Sequence, residues 1–345
     1  DLHRPYIDEV ILKCKTRLPD GQECGGKAVR ITEIFDSWVE AGSMPFAEYH
    51  YPFENKKIFE SRLPAQFVAE YIAQTRAWFY VMHVISLVLF GKAPFENVAT
   101  TGTILAGDGS KMSKSKGNFP DPWEVINKYG VDALRFYLMN SVVMQADNLN
   151  FSVKDVEVIQ RKIVLILWNV YKYFETYAPS RISDIRHQIS EQNVLDKWIG
   201  ARTQELIGGV TKYLDAYDTV RATRVIAEYI DDLSTWYLRR SRKRRDPAFF
   251  KTLYYCLMTT SKIIAPFMPY LAEILYLNLL RYSQKSAMPE SVHLADWPAV
   301  KLKIKNEKLK IPTKQMSEIR RLASLALAKR AEAGIKVRQP LRELR

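Results

Sequence analysis

Beyond Phe151 the apolar residues recur at helical spacing, and this periodicity commits more than half of the chain to helices packed on helices. Ser152 with Asp155 three residues on is a capping signal, and Ile159, Ile163, Ile166, Val170 and Phe174 follow at steps of four, three, four and four until Pro179. Leu195 to Leu214, Thr219 to about Tyr237, Ala248 to Ile264 and Tyr270 to Leu280 repeat the pattern, with Pro247, Pro266 and Pro269 at the breaks. A bundle of about five helices is expected, because each apolar stripe needs a partner. A lysine-rich connector, Lys301 to Lys310, leads to a last helix from about Thr313 to Ala333, which Gly334 can end.

The first part reads differently. Asp1 to about Glu60 holds short apolar runs, such as Val10-Ile11-Leu12 and Val29-Arg30-Ile31, around a Pro19-Asp20-Gly21 turn, and small strands and loops are expected there. From Leu63 to about Phe119 the expected order is a helix over Glu70 to Phe90, a strand over Asn97 to Leu105, and a lysine-rich loop bracketed by Gly107, Gly109 and Gly117. That order is half of an α/β layer. Short helices follow at Pro122 to Lys128 and Asp132 to Asn140, so the fold class is α/β plus all-α.

A chain that is 47% hydrophobic, with only 14 Gly and 16 Pro, is neither disordered nor collagen-like. No run approaches the roughly 18 apolar residues of a membrane span, and Val81 to Phe90 is the longest candidate. Three cysteines and no leader-like start point to a soluble, cytoplasmic chain in a reducing compartment. Charge is segregated: residues 1–150 carry 16 Lys/Arg against 18 Asp/Glu, and residues 151–345 carry 35 against 20. The cationic half suits a polyanion partner, although charge alone equally describes a solvated basic surface.

Asp108 to Asn118 places Lys111, Lys114 and Lys116 among hydroxyls and between glycines. Ammonium groups on a pliable loop suit a polyphosphate whose charge is held and then redistributed, while the loop by itself also fits an exposed basic turn. A second cluster, Trp236 to Arg245, ends a bundle helix with six basic residues in seven positions: Arg239, Arg240, Arg242, Lys243, Arg244 and Arg245. Such residues hold RNA phosphates and Trp236 can stack on a base, and cations there also suit a helix C-terminus. Cys14 and Cys24 are two thiols where structural zinc needs four ligands, so no metal site is expected.

Lys111-Met112-Ser113-Lys114-Ser115 is the KMSKS signature, and with it the chain resembles the class I aminoacyl-tRNA synthetases. Asp121-Pro122-Trp123-Glu124 and Tyr129 to Phe136 resemble the segment after that loop in the subgroup for branched aliphatic amino acids. Leu2 to Asp8, Phe35 to Pro45, Tyr49 to Glu54, Asp232 to Arg242 and Gly334 to Leu341 resemble the isoleucine members, while the Glu40 to Pro45 stretch argues against the valine enzyme, the runner-up. The resemblance implies the second half of a Rossmann-type nucleotide-binding domain followed by an anticodon-binding helical bundle. It implies isoleucine activation with ATP, taken as its Mg2+ complex, transfer to tRNA(Ile), and a monomer. Lys114 contacts ATP phosphates and Lys111 assists; Met112, Ser113 and Ser115 complete the ATP loop. Trp236 and the six basic residues meet tRNA. Glu70 to Trp78 resembles the family's Glu-Gly-x-Asp-Gln-x-Arg-Gly-Trp adenylate segment, in which Glu70, Gln74, Arg76 and Trp78 match. Tyr71, Ala73 and Ala77 depart from it, and Tyr71 adds a ring where the family's backbone nears the ligand.

The family's other signature, His-Ile-Gly-His, is not met at any of His3, His50, His83, His187 or His293. The expectation is a fragment without the first Rossmann half and the editing domain, inactive alone. Its segments would be 1–60, the end of the editing insertion and the return to the catalytic domain; 61–120, the second Rossmann half; 121–155, a helical connector; 156–300, the bundle; and 301–345, a basic connector and the start of a C-terminal region. An RNA-binding module without catalysis is the alternative.

Overall fold

The computed structural model describes residues 4–31, 33, 36–113, 117–118, 120–180, 182, 193–283, 288–300 and 307–340. The chain divides into two compact units, Asp1–Val68 with Ala73–Val98, and Ala69–Ile72 with Ala99–Arg345.

The smaller unit opens on a hairpin of β1 (Leu12–Lys13) and antiparallel β2 (Lys27–Ala28). The Cys14 amide donates to the Gly26 carbonyl at 2.7 Å and the Cys24 amide to the Thr16 carbonyl at 2.8 Å. After it come α1 (Ser37–Ala47) and α2 (Lys56–Arg62), two helices where loops and small strands were expected. Gly42 and Pro45 inside α1 obscure its pattern, but Asp36 caps it by accepting from the Trp38 amide at 2.9 Å. Gly42 has a packing role, since a Cβ there would lie 2.8 Å from Val81 and 2.9 Å from Ile85. Phe59, Phe79 and Met82 form the core, and Phe59 meets the rings of Tyr51 at 4.5 Å and Phe90 at 5.0 Å.

Strand β3 (Ala65–Tyr71) pairs with β4 (Phe95–Thr101), and each strand runs from one unit into the other. The helix expected from Glu70 therefore begins only at Trp78: a 3-10 turn over Ile72–Arg76 follows β3, and α3 is Trp78–Phe90. Sheet pairing wins over the apolar density that suggested one long helix. Over Ile72–Phe90 the chain is apolar enough for a membrane span, yet α3 is only 13 residues, or about 20 Å, against a hydrocarbon core of about 30 Å.

In the larger unit β5 (Ile104–Leu105) lies parallel to β6 (Leu149–Asn150). The strand expected to run unbroken to Leu105 stops at Gly102, where a Cβ would sit 1.9 Å from the Asp147 carbonyl oxygen. Helices α4 (Pro122–Tyr129) and α5 (Val131–Met139) follow, each within one residue of its expected span. Asp132 of α5, 8% exposed, accepts from the Tyr270 and Leu271 amides at 3.4 and 2.6 Å. It thereby caps the start of α12 (Pro269–Leu280), which has no side-chain cap of its own, and burial raises its carboxyl pKa.

The bundle comprises α6 (Val153–Ile159), α7 (Leu165–Tyr177), α8 (Val194–Asp215), α9 (Thr219–Asp231), the short α10 (Arg239–Ser241), α11 (Pro247–Ile264), α12 and α13 (Glu307–Glu332). Ser152 caps α6 through the Asp155 amide at 3.2 Å; α8, α11 and α12 match their expected spans within two residues, and α9 stops at Asp231, with the π turn Asp232–Leu238 carrying the helix on to the expected end. Two expected helices carry internal π turns, at Gln160–Val164 and Asp232–Leu238. The wider turn lets Asp232, Leu233, Tyr237 and Leu238 all bury on one side. Trp198, Tyr229, Tyr237, Phe174, Phe249 and Phe267 are among the fully buried side chains of this core. Helix α13 begins at Glu307, ahead of the expected Thr313, and Gly334 at φ +65° ends it. It packs on α8; Met316 is buried, and Arg320 pairs with Asp231 and Asp232.

Candidate functional site

The lysine loop grows out of β5. A lone antiparallel bridge sets Lys111 opposite Leu105, the Ala106 amide donates to the Ser110 carbonyl at 2.9 Å, and Gly109 at φ +81° makes the turn. Asp108 accepts from the Ser110 amide and hydroxyl at 2.9 and 2.7 Å. The Lys111 side chain is exposed, and Met112 and Ser113 are half-buried. Lys114 and Ser115, to which the ATP-binding expectation also assigns roles, lie outside the described residues, as does Lys116. The Asn118 carboxamide donates to the Ser110 hydroxyl at 2.9 Å and the Lys111 carbonyl at 3.1 Å, and accepts from the Ser113 amide at 2.9 Å. Sequence reasoning assigned Asn118 no role, although it stands at the loop's end.

The adenylate segment is split between the units. In the larger, Glu70 is exposed and accepts from the Tyr71 amide at 2.9 Å, and the Tyr71 hydroxyl lies 3.1 Å from that of Thr103. In the smaller, Gln74 accepts from the Trp78 amide at 3.1 Å, and Trp78 donates its indole N–H to the Ala41 carbonyl at 2.9 Å. Trp78 also lines a cavity of about 380 Å3 with Met44, Pro45, Tyr49, Phe59 and Arg62. Among the described residues expected at a site, only Trp78 lines it, and no sequence signal marked the rest as a lining.

The basic cluster does not act as one surface. Arg244 forms a two-pronged pair with fully buried Asp196 at 2.7 and 2.9 Å and binds Asp246 at 2.9 Å, which raises its pKa above the usual arginine value. Arg245 donates to the Tyr173 hydroxyl at 2.8 Å and lies 4.2 Å from the Tyr177 ring. Arg240 lies 3.2 Å from the Trp236 ring centroid, Arg320 lies 5.4 Å from it, and the Trp236 indole N–H donates to the Met316 sulfur at 3.0 Å. Burial and neighbouring Arg239 lower the Arg240 pKa. Arg239, Arg242 and Lys243 are exposed at the end of the helix. Among the described residues no three His, Cys, Asp or Glu side chains cluster as metal ligands.

Residues 7–150 match the family described as tRNA synthetases class I (I, L, M and V), and residues 196–344 match the anticodon-binding domain of tRNA ligase. Both matched domains are those of class I tRNA synthetases. Among these it is similar to the isoleucine–tRNA ligase of Thermus thermophilus, 42% identical over 353 residues, covering 99% of this chain and 32% of the relative. That of Protochlamydia amoebophila is 42% identical over 354 residues, with 99% and 32% covered. The chain thus spans about a third of the length of the curated relatives it matches. In fold it is similar to the LeuRS of Agrobacterium radiobacter K84, solved with tRNA and LeuAMS, with a TM-score of 0.64 and 22% identity over 86% of this chain and 35% of that one. It is also similar to the methionyl-tRNA synthetase of Mycobacterium tuberculosis, solved with methionyl-adenylate, with a TM-score of 0.58 and 22% identity over 71% of this chain and 51% of that one.

Proposed function

We propose that this chain supplies the phosphate-gripping loop and the anticodon-binding bundle of an isoleucine–tRNA ligase. In the first step the isoleucine carboxylate attacks the α-phosphorus of ATP, the bond to the β-phosphate oxygen breaks, and isoleucyl-adenylate and pyrophosphate form. In the second a terminal ribose hydroxyl of tRNA(Ile) attacks the acyl carbon and AMP leaves. Negative charge grows on the departing pyrophosphate, and Lys111 and Lys114 are the groups assigned to stabilise it, with Mg2+ entering as part of the ATP complex. Met112, Ser113 and Ser115 shape the same loop, and Glu70, Gln74 and Trp78 serve the adenylate. One observation carries the isoleucine reading: the relatives that match 99% of the chain, through both domains, are isoleucine–tRNA ligases.

The bundle meets RNA through Arg239, Arg242 and Lys243, the cluster's exposed cations that have no side-chain partner among the described residues, whereas Arg244, Arg245 and the Arg240–Trp236 stack shape the surface that presents them. Charge reversal tests this division. Arg239→Glu with Lys243→Glu should weaken tRNA(Ile) binding to the chain and flatten the plot of log affinity against log salt by about one unit per lost phosphate contact. An unchanged slope would leave these residues as a solvated helix end.

A further inference from the structure

Asn118 holds the base of the lysine loop closed, and nothing else described there links its two sides by side chain so completely. Its amide nitrogen reaches back eight residues to the Ser110 hydroxyl and seven to the Lys111 carbonyl, and its oxygen takes the Ser113 amide. The Ser110 hydroxyl is in turn bound to Asp108, so one continuous chain of bonds runs from the β5 hairpin through Ser110 to Asn118. Each bond engages a group that fixes where the loop leaves the hairpin: Lys111 by its carbonyl and Ser113 by its amide. The Lys111 ammonium remains exposed beyond this clamp.

We propose that Asn118 is a positioning residue: its carboxamide orders the backbone of Lys111 and Ser113 in advance, so that Lys111 meets a polyphosphate with less ordering left to do. The proposal rests on reading the loop as a phosphate site. Preorganisation of this kind acts on affinity through the entropy of the loop and contributes no contact to the ligand. Neither aspartate nor alanine replaces it. Aspartate keeps an acceptor for the Ser113 amide but loses both donors and brings a negative charge to the phosphate loop; alanine loses all three bonds.

The test uses the 345-residue chain, with two readouts and one double variant. In Asn118→Ala, hydrogen exchange at the Ser113 amide should quicken by about tenfold or more, while exchange in α11 stays as in wild type. Affinity for Mg–ATP should fall severalfold. It should not fall further when Asn118→Ala is added to Lys111→Ala, because a residue acting through that lysine is coupled to it. Asn118→Asp should retain slow Ser113 exchange and still lose ATP affinity. Unchanged Ser113 exchange in Asn118→Ala overturns the clamp. ATP affinity equal in wild type and Asn118→Ala, or effects of Asn118→Ala and Lys111→Ala that simply add, overturn the positioning role. Lys111 is here read as also holding the resting ATP phosphates, so if Lys111→Ala leaves ATP affinity unchanged that phosphate reading of the loop has failed, and this is told apart because the exchange readout still reports on the clamp.

Discussion

Asp196→Ala is expected to cost the bundle about 3–5 kcal/mol, the range found when one partner of a buried pair is removed. Asp196 is 0% exposed and accepts the Arg244 guanidinium at 2.7 and 2.9 Å together with the Tyr237 hydroxyl at 2.8 Å. Without it Tyr237, which is also buried, keeps a hydroxyl with its acceptor gone, and Arg244 is left leaning on Asp246 alone. The contrast variant is Asp246→Ala. Its side chain is 45% exposed, and it loses an α11 N-cap to the Phe249 amide at 2.9 Å, a change worth about 1 kcal/mol. Urea unfolding of the two variants measures the difference, and equal losses would show that the buried pair is no anchor. The same pair explains why sequence reasoning read Arg244 as an RNA ligand: six cations in seven positions look alike until the fold buries a carboxylate under one of them.

Lys114→Ala, in a ligase that carries these residues, is expected to slow isoleucyl-adenylate formation by about a hundredfold or more with little change in tRNA affinity. The extra charge on the leaving pyrophosphate grows only as the bond breaks, so Lys114 acts on the rate beyond whatever the loop lysines contribute to holding the ATP phosphates at rest. Lys114 follows Ser113, whose amide is held by Asn118, and the bundle's exposed cations belong to a different family domain. Isoleucine-dependent exchange of pyrophosphate into ATP reads the first quantity and a tRNA filter assay the second. Exchange at the wild-type rate would remove Lys114 from the chemistry, and a parallel loss of tRNA binding would mean that the substitution had damaged the fold.

The helical half was legible because its signals are local. Ser152 with Asp155, Pro247 at the start of α11 and Gly334 after α13 each act within a turn, and the apolar period does the rest. Residues 70–90 were not legible in the same way, since whether Ala65–Tyr71 is a strand depends on a partner 30 residues away, and pairing with β4 decided it. Helix α1 was hidden by Gly42 and Pro45, one kept for close packing against α3 and the other tolerated near the helix end. In the site, the five letters from Lys111 to Ser115 marked the loop, but Asn118 and the cavity beside Trp78 emerge only when distant residues are brought together. Trp236 illustrates the reverse: an aromatic side chain suited to a base is already taken up by Arg240, Met316 and Arg320.

The claim that this chain carries the anticodon-binding part of an isoleucine–tRNA ligase is tested most directly by a nuclease footprint of tRNA(Ile) bound to the 345-residue chain at low salt. Protection of the anticodon stem and loop is predicted, weaker on tRNA(Val) and lost when Arg239 and Lys243 are reversed to glutamate. Binding without anticodon protection, or equal protection of tRNA(Ile) and tRNA(Val), would contradict it.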